Sequence, residues 1–340
     1  MGRPSIKGIK HMENKILTVV VPMYNVEKYI TNCLNSFVIP EIMEQVEVLI
    51  IDDGSADLSS QLTEQYVAKY PETFQVIHKE NGGHGSTINK GIELAKGKYF
   101  KVVDGDDWVD KTGFIHLVRH MEQTDADMIL SNYYWVDHTT GRKKAEVEEI
   151  CPGISYGKLY PFKEIAEKIF MKMHAISFKT EVLRNQPERL DEHCFYVDTE
   201  YMLFPLPFVK TVSAIPDFVY QYRIGLAGQS MSAEKLKSQC NQHEKVLRRL
   251  LKFYKGYKEN SCAKALENTL ARIVVSQYKI YFMLGKSKKR AMVKLDMGLK
   301  RNYPRVFKKV QNPLIKILRK MNYHFYIPAS EVVRLIVKLK

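Results

Sequence analysis

The sequence is poor in cysteine, with five in 340 residues: Cys33, Cys151, Cys194, Cys240 and Cys262. They are scattered, odd in number and form no CxxC pair. That argues against a disulfide framework or a zinc site, and for a reducing compartment. No apolar run reaches the roughly 18 to 20 residues that a membrane-spanning helix needs. There is no internal repeat and no low-complexity segment, which sets repeat architectures aside. No signal peptide is visible, because MGRPSIKGIKHM is basic and lacks an apolar core. The His11-Met12 junction reads as a cloning scar with Met12 as the natural start, so residues 1 to 11 stand outside the fold reasoning. Hydrophobic content of 45% and charged content of 26% suit a soluble globular chain. The length suggests about two domains.

An even spread of charge is also lacking. Residues 286 to 340 hold 16 Lys and Arg against Asp296 and Glu331, which is the whole net charge of +14. Before Lys286 the two signs balance at 36 each. The basic character, and whatever it attracts, belongs to the tail.

What the first third does have is a rhythm. The β-branched run ILTVVV (16–21) predicts a strand, as do VEVLII (46–51), residues 74–78 and residues 98–103. Helical spacing fills 26–37, the stretch from Asp57, a candidate cap, to about Tyr70, and 87–95. Strand and helix alternating this way predict βαβ units and a parallel sheet. In such sheets ligands bind beyond the carboxyl ends of the strands. PMYN (22–25), DDGS (52–55) and DGDD (104–107) all fall there.

Further on, strands are predicted over 126–136 and 211–223, and helices over 162–171 and 198–208. Residues 233–284 are helical almost throughout. Short helices follow, interrupted at Pro304, Pro313 and Pro328. Residues 12–230 therefore read as an α/β domain, and 231–340 as a helical, basic one.

The densest chemistry is YFKVVDGDDWVD (99–110). Asp104, Asp106 and Asp107 repel one another unless something positive sits among them. Divalent Mg²⁺ or Mn²⁺ favours oxygen ligands and can share them with substrate phosphates. An Asp-rich turn is also common without a metal.

VVVPMYN (19–25), IIDDGSADLS (50–59), ENGGHGSTINKGIELAKGKY (80–99) and VVDGDDWVD (102–110) resemble, in order and spacing, glycosyltransferase family 2. The resemblance covers about residues 15–225. It implies the GT-A fold, with a Rossmann-like, mostly parallel sheet and helices on both faces. It also implies a nucleotide-diphospho-sugar donor, an inverting transfer and a metal, Mn²⁺ or Mg²⁺. Carried over residue by residue, Tyr24 stacks on the donor base, unless it is a core aromatic. Asp53 receives the base imide N–H, which suits uracil, while Asp52 holds the turn. Asp104 lies near the ribose and Asp106 is the metal ligand. Asp107 supports it or caps a helix, with Trp108 beside it. Pro22, Asn25, Lys79, Asn81, Gly83 and Gly105 line the donor pocket, with His84 as a wall. The glycine loop at 81–85 lacks the Lys-Ser/Thr ending of a P-loop.

The family's acceptor-side acids fall on FYVDTE (195–200). Asp198 matches the essential Asp, the candidate base, while Val197 replaces the Glu usually before it. A helix cap is the alternative for Asp198; Glu200 and Asp191 are secondary candidates. Arg223, in VYQYRIGLAGQSMS with Gln229 and Ser230, can reach the diphosphate, and so can His174. The QxxRW motif of processive members is absent, which suggests one sugar per encounter.

Expected partners are the nucleotide-sugar and a glycan, lipid-linked or glycoprotein acceptor. Assembly of surface polysaccharide or glycoprotein glycan fits, in the cytoplasm or at the inner face of the membrane. The tail suggests a homo-oligomer through its helices, with weak membrane affinity. Nucleic acid is not expected, since no recognition signature is present. Two other classes stay open: a non-catalytic module with a binding tail, and a sugar-phosphate nucleotidyltransferase. The latter's lysine-bearing glycine loop is missing after the first strand.

Overall fold

The computed structural model describes residues 15–226 and 233–338. The expected domain boundary at 230/231, Gln229, Ser230 and the first eleven residues lie outside the described residues.

Ten strands form one sheet. They are β1 Leu17–Met23, β2 Val46–Asp52, β3 Phe74–His78, β4 Tyr99–Val102 and β5 Trp108–Val109. Then come β6 Met128–Asp137, β7 Lys143–Ala145, β8 Tyr160–Pro161, β9 Ile176–Lys179 and β10 Thr211–Ile224. The order is β3-β2-β1-β4-β9-β6-β10-β5, with β7 on β6 and β8 on β10. The first four strands run parallel. Every residue of β1 and β2 is buried, as suits their mostly apolar, β-branched-rich sequences. β9 then enters antiparallel to both β4 and β6, and β6 and β10 run parallel again. The sheet is therefore mixed, and β9 splices the parallel first half to the later half.

Three helices differ from their predicted bounds. The helix predicted over 26–37 is Ile30–Asn35. The helix predicted over 87–95 begins at His84 and runs to Leu94, so its first turn carries the end of the glycine loop. The helix predicted over 162–171 is one turn, Phe162–Ile165. Asp57 lies one residue before the N-cap of the helix Ser59–Lys69 and still accepts its first N–H, from Ser59 at 3.0 Å. The stretch predicted as a helix over 198–208 is the helix Asp198–Leu203 followed, after Pro205, by the 3₁₀ turn Leu206–Phe208.

From Ala233 on, helices pack on the sheet domain and on one another, the longest being Cys240–Tyr257 and Ala263–Leu284. Pro304 and Pro313 start helices, whereas Pro328 sits in the first turn of Tyr326–Lys338. Fully buried Asp296 ties this region together. It accepts from the Tyr278 hydroxyl (2.6 Å), the Arg319 guanidinium (2.7 Å) and the Tyr323 hydroxyl. Among the described residues no helix is long and apolar enough to cross a membrane. All five cysteines are buried and free.

Candidate active site

The carboxyl ends of β1, β2 and β4 are stitched to one another. Asn25, in the left-handed region at φ 52°, accepts from the Ala56 N–H at 2.8 Å, and its own N–H donates to Ser55 Oγ at 3.1 Å. The Pro22 carbonyl accepts from the Gly105 N–H at 3.2 Å. A Cβ on Gly105 would come 3.0 Å from that oxygen, so any larger residue here would crowd the turn. Tyr24 is 53% exposed, which excludes the core-aromatic alternative.

Asp53 is buried, and the glycine loop is built on it. Oδ1 accepts from Lys79 Nζ (2.7 Å) and the Gly82 N–H (2.9 Å), and Oδ2 from the Gly83 N–H (2.7 Å). The Asn81 side chain donates to the Asp53 carbonyl at 3.0 Å. Lys79, Asn81 and Gly83 thus converge on Asp53, and only Oδ2 keeps spare acceptor capacity for a base N–H. Asp52 holds its turn, as expected: it accepts from the Ser55 N–H, Ser60 Oγ and His78 Nδ1.

The acid cluster has a built interior. Asp104 Oδ1 pairs with His84 Nε2 at 2.8 Å. Burial pulls the His84 imidazole down and the Asp104 carboxyl up, but their mutual attraction outweighs both. The net result is a raised His84 and a lowered Asp104, an ion pair. Asp107 is fully buried and braces β10. Its Oδ2 accepts from the Tyr220 hydroxyl at 2.6 Å and its Oδ1 from the Arg223 N–H at 2.7 Å. The same hydroxyl accepts from the Asp104 N–H at 3.1 Å. Burial, then Asp106 and Asp104, push the Asp107 carboxyl well up. Asp106 is pushed up to about 6 by burial and by Asp104, and it makes no ion pair among the described residues. The Arg223 Nε donates to the Asp106 carbonyl at 2.8 Å, and its guanidinium lies 4.5 Å from the Trp108 ring and 5.1 Å from that of Tyr29.

His174 completes this interior. Its ring stacks on Tyr222 at 4.3 Å and meets Tyr220 edge-on at 4.7 Å. Burial pushes it down to about 3, so it is neutral, and its buried Nδ1 has no hydrogen-bond partner. Its carbonyl accepts from Lys101 Nζ at 2.8 Å; that lysine is wholly buried in β4 and pushed down to about 7. One ligand atom each from Asp104, Asp107 and His174 lie within 4.8 Å of one another. Two carboxylates and a neutral imidazole lone pair without a partner fit a divalent cation. Asp106, the expected ligand, is next to this trio in sequence but not one of its members.

Asp198 opens its helix without serving as the N-cap, which is Val197. Burial raises its carboxyl, against the opposing charges of His84 and Lys172, while Asp104 adds to the rise. Asp198 therefore shares one electrostatic neighbourhood with the acid cluster, about ninety residues earlier in the chain. The segment before it, 188–197, is strained and clamped. His193 and Tyr196 have positive φ, at 51° and 68°. Asn89, on the helix His84–Leu94, bonds both the N–H and the carbonyl of Leu190 at 3.0 Å. A Cβ on Gly85 would sit 2.1 Å from the Asp191 carbonyl oxygen. From the other side, Gln242 accepts from the Phe195 N–H at 2.9 Å. Arg249 binds Asp191, Glu200 (both 2.9 Å) and Glu188 (3.0 Å). Fully buried Glu200 also accepts from the Asp191 N–H at 2.7 Å. The structure thus places both secondary candidates, Glu200 and Asp191, in the clamp.

Glycosyl transferase family 2 matches residues 18–186. The chain carries a family 2 glycosyltransferase domain. It is 31% identical over 234 residues to EpsH of Bacillus subtilis (strain 168), spanning 64% of this chain and 63% of EpsH. It is 33% identical over 129 residues to the glycosyltransferase GlyG of Streptococcus pneumoniae serotype 4, or 38% of this chain and 42% of GlyG. The chain thus spans less than two thirds of these relatives. The structure of S. aureus TarS 1-349 in complex with UDP-GlcNAc superposes with a TM-score of 0.65 at 19% identity, covering 95% of this chain and 90% of that one. That likeness establishes the GT-A fold of the family 2 domain and extends through the C-terminal helices.

Sequence reasoning took His84 for a wall; it is the ion-pair partner of Asp104. It missed Lys101, Tyr220 and Arg249 altogether. Lys101 was open to detection as the one charge inside an apolar strand. Arg249 had no local signal, because its partners lie some fifty residues away.

Proposed function

We propose that this family 2 domain transfers one sugar from a UDP-sugar to an acceptor hydroxyl, with inversion and with a divalent cation. The observation that carries the reading is that Asp198, raised by burial, sits in the field of the His84–Asp104 pair. An acceptor-side base and the donor-side acids then face one reaction centre. Asp198 takes the proton of the acceptor hydroxyl as its oxygen bonds to the anomeric carbon. The bond from that carbon to the diphosphate oxygen breaks on the opposite face, which inverts the centre and leaves UDP. Tyr24, exposed at the end of β1, offers the stacking face for the base. His84, whose protonated form Asp104 favours, offers positive charge near the departing diphosphate.

Mn²⁺ or Mg²⁺ would be held by Asp106 together with the Asp104, Asp107 and His174 set. When bound it supplies Lewis-acid charge for the leaving group. Every residue named comes from one chain. The acceptor is proposed to be a growing surface polysaccharide or glycoprotein glycan, free or lipid-linked, met in the cytoplasm or at the inner face of the membrane. Likeness in fold to TarS, solved with UDP-GlcNAc, supports the choice of a UDP-sugar.

The test is a donor panel of UDP-glucose, UDP-galactose, UDP-GlcNAc and GDP-mannose, with and without Mn²⁺. Cleavage of a UDP-sugar that depends on the ion, with an inverted anomeric centre by NMR, is the expected result. No consumption of any of them with Mn²⁺ present would overturn the reading.

A further inference from the structure

We propose that the helices Pro313–Lys320 and Tyr326–Lys338 form a surface that lies against an anionic lipid bilayer. This extends the peripheral placement proposed above, but it rests on the tail's own surface. The helix Tyr326–Lys338 buries one face on Ala263–Leu284. The Tyr326 hydroxyl donates to the Tyr281 carbonyl at 2.9 Å, and Ser330 Oγ to that of Phe282 at 2.8 Å. The rest of its surface should then be polar. Instead Val332, Leu335 and Ile336, on the flank beside the buried face and round to its far side, are 55%, 60% and 51% exposed. A short helix whose apolar surface runs well beyond its buried face has a second contact to make.

The preceding helix repeats the pattern. Ile315 and Leu318 point inward, while Ile317 and Met321, one turn apart, are 55% and 45% exposed. Lys316 and Lys320 form the adjoining row. Of the thirteen large hydrophobic side chains exposed among the described residues, seven lie between Ile317 and Ile336. The apolar exposure is therefore concentrated where the net charge of +14 is concentrated too. Ion pairs among the described residues engage only Arg305, Lys309, Arg319 and Arg334 of that basic set.

Charge complementarity chooses the occupant. A second copy of the chain would bring like charge against like. An anionic headgroup layer attracts the Lys rows and takes the apolar rows into the acyl boundary, the habit of a helix lying in the interface plane.

Co-sedimentation of the full chain with two kinds of vesicle tests this: phosphatidylcholine alone, and phosphatidylcholine with one third phosphatidylglycerol. Binding to the anionic vesicles should be at least about ten-fold stronger and should weaken as salt is raised. Val332→Asp/Leu335→Asp/Ile336→Asp should abolish it, and Lys316→Glu/Lys320→Glu should weaken it about ten-fold. Both variants change exposed residues and should keep the wild-type circular dichroism and any donor hydrolysis. The proposal is overturned by equal binding to both vesicles, by no binding, or by wild-type binding of either folded variant. A dimer in sedimentation velocity that the triple variant dissociates would also overturn it, in favour of a second copy. Vesicle binding without any sugar transfer would leave this surface standing while the function proposed above fails.

Discussion

The described residues hold two groups of three carboxylates, and the chain treats them differently. Glu188, Asp191 and Glu200 are closed by one guanidinium, Arg249, at 2.9 to 3.0 Å. Asp104, Asp106 and Asp107 receive one ion pair, from His84, and otherwise backbone and hydroxyl donors. Burial, with the neighbouring carboxylates, pushes Asp106 and Asp107 up; burial raises Glu200 as well, but there a whole arginine opposes the rise. A buried acid group that the protein neutralises itself is scaffolding. One held short of positive charge is prepared for a ligand that brings it.

The largest effect is expected at Asp198, which feels the charges of His84 and Asp104. Asp198→Asn should cut turnover by about 10²- to 10⁴-fold, the usual worth of a general base. The same change should raise Tm at neutral pH. The folded-state carboxyl is raised above the ordinary Asp value of 3.8, so its ionisation opposes folding above that range. The gain should vanish as pH falls below the ordinary value, where both states are protonated. Wild-type initial rates in the variant would remove Asp198 from catalysis.

Arg249→Met probes the closed group. It leaves fully buried Glu200 without its cation and should cost about 3–5 kcal/mol by denaturant titration. Adding Glu200→Gln should recover part of that loss. A loss under about 1 kcal/mol would mean the clamp is no more than a surface pair.

Smaller effects follow on the donor side. Tyr24→Ala should raise the donor KM about ten-fold, since base stacking is worth about 1–3 kcal/mol. Tm should not move, because the ring is 53% exposed. A fall in kcat with unchanged KM would contradict the stacking role. The smallest is Lys101→Met. Burial holds this amine at about 7 against an ordinary 10.5, so the unfolded chain binds more protons between those values. Wild-type stability should gain a rising contribution as pH climbs from about 7 towards 10.5, and the variant should lack it in pH-dependent melts.

The same contrast explains what the sequence made legible. The donor half announces itself because its signals are local: β-branched runs, each ending in a polar turn, at VPMYN, DDGS and DGDD. Periodicity cannot reveal β9, four residues that enter antiparallel, nor the shortening of 162–171 to one turn. Asp198 was reachable through the family resemblance. The clamp around it was not, because Arg249, Gln242 and Asn89 come from separate helices and meet only in the fold. Gly85 is the one sequence trace of that meeting, a residue without a side chain where the Asp191 carbonyl must approach.

The most direct measurement is a thermal shift with UDP and Mn²⁺, singly and together, on the wild type and on Asp106→Asn. If the open acid group is prepared for a cation and a diphosphate, the pair should raise the wild-type Tm by more than the two ligands do separately. Asp106→Asn should lose that extra rise while keeping its fold. An equal shift in the variant, or no shift in the wild type with both ligands, would contradict the assignment of the open group to ligand binding.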